Sequence, residues 1–324
     1  MRPILSRSGP FQELNALFIQ PTRWCGLNCK GCYVKAHVDG EESFHTPWQE
    51  QLHLFKLFYH GPHWANQITI AVDDLHEDPT KQRHMLLIVD SILQELVHDT
   101  RPKHERPEVH MTLHTPDTHQ QYLSHSVTGW DRLDLLSFSE VPPTKDAMNT
   151  IAFYSGVIPV INYNYTAPQT WNETTEINRL VRVGRQVDHI YLVMFKSPVG
   201  NPGPKSLNNY YMARYQLYIS QVVDKLPEDV RRKLTSDGCL SDTVKHSRTG
   251  FGCSSNVSRL QVWPDGAVSG CPYAFQPSTQ VGRTAQDIVE NIRKAGSRYD
   301  FKEDCHLPST YASLTNRNLR VLPA

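Results

Sequence analysis

Residues 14–33 read LNALFIQPTRWCGLNCKGCY and carry three cysteines directly behind a short apolar stretch. Leu14 to Gln20 is a candidate strand, and Cys25, Cys29 and Cys32 follow it with C-x3-C-x2-C spacing. In α/β barrels, the loops that follow the carboxyl ends of the strands carry the chemistry. Spacing and position therefore predict a functional cysteine site at the end of the first strand of an α/β fold.

Two kinds of metal site are compatible with three clustered thiols. A structural zinc ion usually takes four protein ligands, and His37 is the only nearby candidate for a fourth one. Three thiolates suit a four-iron cluster in which one iron keeps an open position. The sequence therefore favours an iron–sulfur cluster, with structural zinc as the alternative.

The chain that follows alternates between strand and helix patterns. Hydrophobic periodicity predicts strands at 14–20, 67–72, 108–114, 133–140, 157–165 and 189–196. It predicts helices at 47–59, 80–98, 142–154, 171–186 and 207–226. Six strands in alternation with helices are typical of parallel sheets and barrels, but are too few for an eight-fold barrel. We therefore expect an open, partial (β/α)6 barrel over residues 1–235.

The pattern changes beyond about residue 235. Residues 257–270, VSRLQVWPDGAVSG, are predicted to form a hairpin with the PDG triplet as its turn, and a helix is predicted at 284–296. The other four cysteines of the chain also lie in this part: Cys239, Cys253, Cys271 and Cys305. We therefore predict a second, small α+β domain over residues 236–324.

The overall composition excludes several classes of protein. The 33 Lys and Arg residues balance 33 Asp and Glu residues, which argues against a generally basic nucleic-acid binder. With 39% hydrophobic and 20% charged residues the chain is typical of globular proteins, and no apolar run is long enough for a membrane span. The lack of a secretory pattern predicts a cytoplasmic protein, in the host cytoplasm if the chain is viral.

The cysteine spacing, its position after the first strand and the six-strand pattern together resemble the radical S-adenosylmethionine (radical SAM) superfamily. The resemblance implies that Cys25, Cys29 and Cys32 hold a [4Fe–4S] cluster whose open iron binds the methionine end of S-adenosylmethionine (SAM). Reductive cleavage of SAM would give a 5′-deoxyadenosyl radical that takes a hydrogen atom from the substrate. The resemblance also implies an electron donor such as flavodoxin or ferredoxin as a partner.

Two positions depart from the usual pattern of that superfamily. Gly31 precedes the third cysteine, where an aromatic residue is common, and Tyr33, a candidate for SAM binding, follows it. The second strand ends in Asp73 and Asp74 instead of a GGE-like motif, and either carboxylate is a candidate partner for the SAM ammonium group, with a solvated loop as the alternative. Polar residues at alternating positions of the fourth and fifth strands are further SAM candidates, unless they are structural: Ser137, Ser139, Asn162 and Asn164.

The late cysteines resemble a second element of the same superfamily. Cys253 is followed by twelve residues, Gly266, four residues and Cys271, and this spacing resembles the opening of SPASM and twitch auxiliary domains. The remainder of the SPASM pattern is absent, so the match is to the shorter twitch form. It implies a second, auxiliary iron–sulfur cluster with Cys239, Cys253, Cys271 and Cys305 as ligands, and ordinary buried thiols are the alternative.

The leading functional hypothesis is a radical SAM isomerase or oxidoreductase that abstracts hydrogen from a carbon of a small polar substrate. Residues expected near the barrel mouth are polar, among them His110, His114 and Lys196. Several tyrosines are candidates for stacking on a flat ring: Tyr163, Tyr165, Tyr191, Tyr210 and Tyr211.

Three other functions stay open at this point. The first is an isomerase that acts on an amino-acid-decorated thymine, a modified nucleobase, in viral DNA, although zero net charge does not favour tight binding to a duplex. The second is a peptide maturase, which the incomplete SPASM pattern disfavours, or a glycyl-radical activase. The third is a binding module for an iron–sulfur cluster or zinc without catalysis.

Overall fold

The structure is a computed structural model, and it describes a defined part of the chain. The described residues are 14, 16–24, 44–63, 65–72, 75–113, 116–125, 128–139, 160–168, 170–193, 205–236, 259–270 and 280–297. All cysteines of the chain lie outside these ranges: Cys25, Cys29, Cys32, Cys239, Cys253, Cys271 and Cys305. Other predicted elements and residues outside them are the helix at 142–154, Tyr33, Asp73, Asp74, His114 and Lys196.

The described residues form strands and helices in alternation. The strands are β1 (Ala16–Ile19), β2 (Gln67–Val72), β3 (Glu108–Leu113), β4 (Leu135–Ser139), β5 (Ile161–Thr166), β6 (His189–Val193), β7 (Leu234–Ser236), β8 (Arg259–Val262) and β9 (Val268–Ser269). The helices are α1 (Trp48–Tyr59), α2 (Pro79–His98), α3 (Pro116–Leu123), α4 (Glu173–Gly184), α5 (Lys205–Gln221), α6 (Glu228–Arg231) and α7 (Ala285–Ser297). β1 to β6 correspond to the six predicted strands, whereas α3, α6 and β7 were not predicted.

All the described strands belong to one sheet, in the order β7-β6-β5-β4-β3-β2-β1-β8-β9. From β1 to β7, each strand pairs in parallel with the next one along the chain. Parallel crossovers are right-handed, so a strand order that never reverses puts every crossover on the same face of the sheet. The result is a curled half-barrel of parallel strands, which confirms the α/β class and the partial barrel.

The outer face of this sheet is apolar and packs against the helices. Its residues are at most 2% exposed, and they include Leu17, Ile68, Met111, Leu136, Phe138, Tyr163 and Ile190. α2 covers it with the six residues that the periodicity predicted: Met85, Ile88, Val89, Ile92, Leu93 and Leu96. Burying one such side chain stabilises a protein by about 2 kcal/mol, so this stripe is what fixes α2 on the sheet.

Carboxylates bind backbone N–H groups at the amino-terminal ends of two strands. Asp134 Oδ2 accepts from the N–H of Val109 at 2.8 Å, and Asp188 Oδ2 accepts from the N–H of Ile161 at 2.8 Å. Asp134 also forms an ion pair with Arg106 at 2.9 Å. These acidic groups are therefore part of the strand connections. The candidate functional side chains lie at the opposite edge of the sheet, where the strands have their carboxyl-terminal ends.

The predicted hairpin at 257–270 forms as β8 and β9, which are antiparallel. β8 also pairs in parallel with β1, so that Leu17 lies opposite Leu260 and the hairpin extends the barrel sheet. β7 spans the predicted domain boundary at residue 235. The separation into a barrel over 1–235 and an auxiliary domain over 236–324 stays a prediction, because 237–258 and 298–324 lie outside the described residues.

Candidate functional site

The inner face of the half-barrel carries polar side chains in rows that run across neighbouring strands. The pairing register defines one row on β3 to β6: Thr112, Ser137, Asn162 and His189. A second row lies two residues closer to the carboxyl ends, on β4 to β7: Ser139, Asn164, Tyr191 and Thr235. The four side chains predicted for SAM on β4 and β5 thus lie together on this face. Their role in SAM binding stays a prediction.

Three of these side chains form a connected hydrogen-bond network. The Asn162 amide nitrogen donates to Ser137 Oγ at 3.0 Å and to Asn164 Oδ1 at 2.8 Å. Both N–H groups of Asn162 are therefore used within the network. Among the described residues, the Asn162 carbonyl oxygen, the Asn164 amide nitrogen and the Ser137 hydroxyl hydrogen have no further partner. Ser137 and Asn162 are only 6% and 8% exposed, so a ligand would meet fixed donors and an acceptor in a largely dry setting.

Two residues of the inner face, His189 and Thr235, were not predicted from the sequence. Together with Tyr191, which was predicted as a stacking residue, they extend the polar rows to β6 and β7. The alternation along β6 contained this signal, because His189 and Tyr191 alternate with the buried Ile190 and Leu192. Tyr191 is half-buried on the inner face, so it is the described tyrosine that fits the predicted ring stacking.

Tyr163 and Tyr165 do not lie on the inner face, which corrects their assignment as stacking residues. Both are at most 1% exposed and lie on the helix-facing side of β5. The Tyr165 hydroxyl donates to Glu176 Oε2, which also accepts from the Tyr218 hydroxyl at 3.1 Å, and Arg179 pairs with the same carboxylate. These groups fix α4 and α5 against the sheet. The side chains of Tyr210 and Tyr211 lie outside the described residues.

His110 lies on the inner face, closer to the amino-terminal ends of the strands than the two polar rows. It is opposite Leu135 of β4, and its Nε2 atom is 3.5 Å from Glu108 Oε2. Its side chain is 14% exposed. The structure therefore separates His110 from Asn162 and Asn164 along the strand direction, although all three share the inner face.

The segment that leads into Cys25 is held by three neighbouring elements. The N–H of Gln20 donates to the carbonyl of Val262 in β8 at 2.9 Å. Gln51 of α1 donates to the carbonyl of Pro21 at 2.9 Å, and the Thr22 hydroxyl lies 3.9 Å from the sulfur of Met85 in α2. The chain therefore leaves β1 along a fixed path up to Trp24, one residue before the cysteine motif.

Trp24 packs between His45, which lies just before α1, and His84 of α2. Its ring stacks on His45, with centroids 3.9 Å apart and planes inclined by 22°, and it meets His84 edge-on at 5.4 Å. Lys81 Nζ lies 5.8 Å from the indole centroid. Burial lowers the pKa of His84 to about 4, so its ring is neutral at pH 7. Sequence alone gave no signal for this group, which we call the Trp24 stack (Trp24, His45 and His84).

The described residues contain neither a candidate metal site nor a helix that could cross a membrane. Within these ranges, no group of three or more His, Cys, Asp and Glu side chains is arranged to hold a metal ion. The predicted iron–sulfur ligands lie outside the ranges, so both clusters stay predictions. No helix in the described part of the chain combines the length and the apolar character that a membrane crossing needs.

Comparison with known proteins gives a fold but not a family. No protein-family model matches the chain, and no curated protein matches it. The chain is similar to the crystal structure of Streptococcus suis SuiB bound to S-adenosylmethionine, with a TM-score of 0.52 and 12% identity over 92% of this chain and 68% of SuiB. For SuiB bound to its precursor peptide SuiA, the TM-score is 0.53, with 10% identity over 91% of this chain and 70% of SuiB. At such identities the similarity shows the fold alone.

Proposed function

We propose that the chain is a radical SAM enzyme in which Cys25, Cys29 and Cys32 hold the SAM-binding [4Fe–4S] cluster. The observation that carries the proposal is that β1, which leads into the C-x3-C-x2-C motif, belongs to a parallel half-barrel with a polar inner face. The similarity in fold to SuiB, which has been solved with SAM bound, supports it. An auxiliary cluster on Cys239, Cys253, Cys271 and Cys305 and a flavodoxin or ferredoxin as electron donor are further parts of the proposal.

The described residues of the inner face offer hydrogen-bonding groups that suit a polar ligand such as SAM. The Asn164 amide nitrogen can donate to a hydroxyl or carboxylate oxygen, and the Asn162 carbonyl oxygen can accept from a hydroxyl or an ammonium group. The mutual hydrogen bonds at 2.8 and 3.0 Å fix the orientation of these groups before a ligand binds. Preorganised hydrogen-bonding groups reduce the ordering cost of binding, which suits a cofactor that must be held in one pose.

The cluster and SAM would supply the 5′-deoxyadenosyl radical. The residues of the chain would bind and orient SAM and the substrate and shield them from water. The segment from Gln20 to Trp24 would hold the start of the cysteine motif near the carboxyl end of β1. Ser137 and Asn162 are only 6% and 8% exposed, and a site that excludes water limits side reactions of a reactive intermediate. The inner-face residues of β6 and β7, His189, Tyr191 and Thr235, would face the substrate.

Two substrate classes are supported by specific observations. A small polar molecule fits the neutral, hydrogen-bonding character of the two inner rows. A peptide is equally supported, because the similar protein SuiB has been solved with a precursor peptide bound. Isomerisation and oxidation are both compatible with these residues, and a modified nucleobase in DNA is a third substrate to test.

The test of the proposal is SAM cleavage by protein that has been reconstituted anaerobically with iron and sulfide. Reduced wild-type protein should form 5′-deoxyadenosine, measured by mass spectrometry, and a Cys29→Ala variant should form none. Cys305→Ala is the matched control, since this thiol is outside the motif and should leave cleavage measurable. Equal 5′-deoxyadenosine formation by Cys29→Ala would contradict the proposal.

Deuterium transfer then identifies the substrate. Labelled small polar molecules, peptides and modified DNA are offered separately to the reduced enzyme and SAM. The class from which deuterium enters 5′-deoxyadenosine is the class of the substrate.

A further inference from the structure

A buried carboxylate binds two tyrosines on the helix-facing side of the sheet. Glu176 of α4 is 6% exposed, and its Oε2 atom accepts hydrogen bonds from the hydroxyls of Tyr165 in β5 and Tyr218 in α5. Burial raises the pKa of both phenols above the usual 10.0, so both are protonated at pH 7. We call these three residues the Glu176 triad. It combines a base with two phenolic protons within hydrogen-bond reach.

Trp171 connects the triad to the surface of the protein. Its half-buried indole meets the Tyr218 ring edge-on, with centroids 5.2 Å apart. The guanidinium carbon of Arg214 lies 4.8 Å from the centroid of the indole. A positive guanidinium next to the ring disfavours positive charge on the indole itself, because like charges repel. An indole that has lost an electron is therefore favoured to take one from Tyr218.

The carboxylate of Glu176 is placed to receive the proton of Tyr218. A phenol that loses an electron becomes a very strong acid, so in a buried setting a hydrogen-bonded side chain must accept its proton at the same time. The Tyr218 hydroxyl lies 3.1 Å from Glu176 Oε2, which is within the range over which a positioned base takes a proton. Arg179 donates to the other carboxylate oxygen at 3.3 Å and so helps to orient this base.

We propose that the Glu176 triad and Trp171 form a one-electron redox site that takes up oxidising equivalents at the surface of the protein. An oxygen-derived radical takes one electron from Trp171 and becomes a closed-shell species. Tyr218 then reduces Trp171, and the O–H bond of Tyr218 breaks as its proton moves to Glu176 Oε2. The products are a neutral tyrosyl radical, a protonated Glu176 and an intact Trp171. A reductant of the thiol class returns the electron, and Glu176 returns the proton.

This site is separate from the polar inner face. Tyr163 and Tyr165, with ring centroids 6.3 Å apart, lie on the helix-facing side of β5, whereas Asn162 lies on the inner face. Because Trp171 is half-buried and both tyrosines are at most 1% exposed, an oxidant in solution meets Trp171 first. Neither SAM nor an iron–sulfur cluster takes part in these steps, so a failure of the proposed function would leave them intact.

The test detects the tyrosyl radical directly and does not use enzymatic activity. The full-length protein is oxidised by a light flash with a ruthenium photosensitiser and a sacrificial electron acceptor, and the radical is quantified by electron paramagnetic resonance. Labelling with ring-deuterated tyrosine narrows the signal of a tyrosyl radical and leaves that of a tryptophanyl radical unchanged. The variants are Glu176→Gln, Tyr218→Phe and Trp171→Phe. Tyr122→Phe is the matched control, since Tyr122 is also buried, at 1% exposure, but lies in α3.

Wild type should give a tyrosyl radical that forms more slowly in D2O than in H2O, because proton transfer accompanies the loss of the electron. Glu176→Gln keeps the size of the side chain but removes the base, so the radical yield should fall by at least about tenfold. Tyr218→Phe and Trp171→Phe should lower the yield to a similar extent, since they remove the electron donor and the entry point. Tyr122→Phe should match wild type.

Thermal unfolding establishes that each variant is folded. If Glu176→Gln or Tyr218→Phe does not fold, Trp171→Phe and the comparison of wild type in H2O and D2O decide the question. A folded Glu176→Gln or Trp171→Phe variant with the radical yield of wild type would overturn the proposal. It would also be overturned by wild type that gives no tyrosyl signal or equal rates in H2O and D2O, or by an equal loss of signal in Tyr122→Phe.

Discussion

Thr46 and Gly282 are joined by a buried hydrogen bond of 2.9 Å, although 236 positions separate them in the chain. The same region contains a second long-range contact, because the N–H of Ala285 at the start of α7 donates to Glu50 Oε2 in α1 at 2.8 Å. The start of α1 and the residues around α7 therefore form one packed unit. The hydrogen bond to Gly282 therefore holds Thr46, which follows the segment with the first three cysteines, against the region after the hairpin.

Replacing Thr46 by valine should destabilise the protein by about 1–3 kcal/mol, because the buried carbonyl of Gly282 loses its donor. The free energy of unfolding, measured by urea denaturation, tests this expectation. Thr100→Val is the control, since Thr100 is exposed and its substitution should change the stability by less than about 0.5 kcal/mol. Equal stability of Thr46→Val and wild type would show that the contact does not hold the two regions together.

Gly266→Ala should destabilise the hairpin turn more strongly than an ordinary surface change. Gly266 has φ = 76°, and an added Cβ atom would lie 2.2 Å from the carbonyl oxygen of Gly282. Strain of this kind costs about 1–3 kcal/mol, and the clash adds to it. The thermal midpoint of Gly266→Ala should therefore fall, whereas Val281→Ala, at a neighbouring position that is 47% exposed, should leave it close to wild type.

Asn162→Asp should weaken SAM binding by at least about tenfold, because it replaces two donors with a carboxylate that faces Ser137 and Asn164. The measurement is SAM affinity by isothermal titration calorimetry on reconstituted protein. Tyr163→Phe is the control, since Tyr163 lies next to Asn162 but on the helix-facing side of β5. Unchanged affinity in a folded Asn162→Asp variant would remove the inner-face network from the SAM site.

Stability should decline as the pH rises above 10. Burial, together with the neighbouring Tyr165 and Glu176, raises the pKa of Tyr218 above its usual 10.0. The unfolded chain therefore releases this proton at lower pH than the folded chain does, so the stabilisation is complete below pH 10 and is lost above it. At pH 8, Tyr218→Phe should lower the free energy of unfolding by about 1 kcal/mol, because the hydrogen bond to Glu176 is gone. From pH 10 to 11, the free energy of unfolding of this variant, measured by urea denaturation, should decline less steeply than that of wild type.

Acidification should destabilise the protein partly through His84. Burial lowers the pKa of this residue from 6.5 to about 4, so the unfolded chain takes up the proton first as the pH falls. The contribution of neutral His84 to the free energy of unfolding is fully present above pH 6.5 and is lost between pH 6.5 and about 4. His84→Gln should flatten the stability profile in this interval, and His53→Gln, at an exposed position, should retain the wild-type slope. Identical slopes for His84→Gln and wild type would contradict the assignment.

The parallel half-barrel was predictable because its signals are local. The strand at 67–72 and the buried stripe of α2 follow directly from periodicity, and both match the structure. The pairing of β8 with β1 was not predictable, since the sequence of Arg259–Val262 specifies a strand but not its neighbour. For the same reason the PDG turn was predictable, whereas the position of the hairpin in the barrel sheet was not.

The candidate site shows the same division between local and long-range information. The alternation in INYNY correctly placed Asn162 and Asn164 on one face of the strand. It does not say which of the two faces meets the helices, and for this reason Tyr163 and Tyr165 were considered as residues that stack on a ligand. The buried Glu176 decides this, because it binds the Tyr165 hydroxyl from α4. The contact of Trp24 with His45 joins residues on either side of residues 25–43, and no spacing rule describes such a contact.

The position of β8 beside β1 also has a consequence for synthesis on the ribosome. Domains form from the amino terminus as the chain emerges, and β1 to β7 can pair in the order in which they are made. The second edge of β1 must wait for Arg259–Val262, the last parallel strand to appear in the part of the chain that the structure describes. Until then, the backbone N–H and C=O groups of a central strand are open to pairing with another chain. The nascent protein therefore has a period of vulnerability to aggregation that ends when this late strand docks.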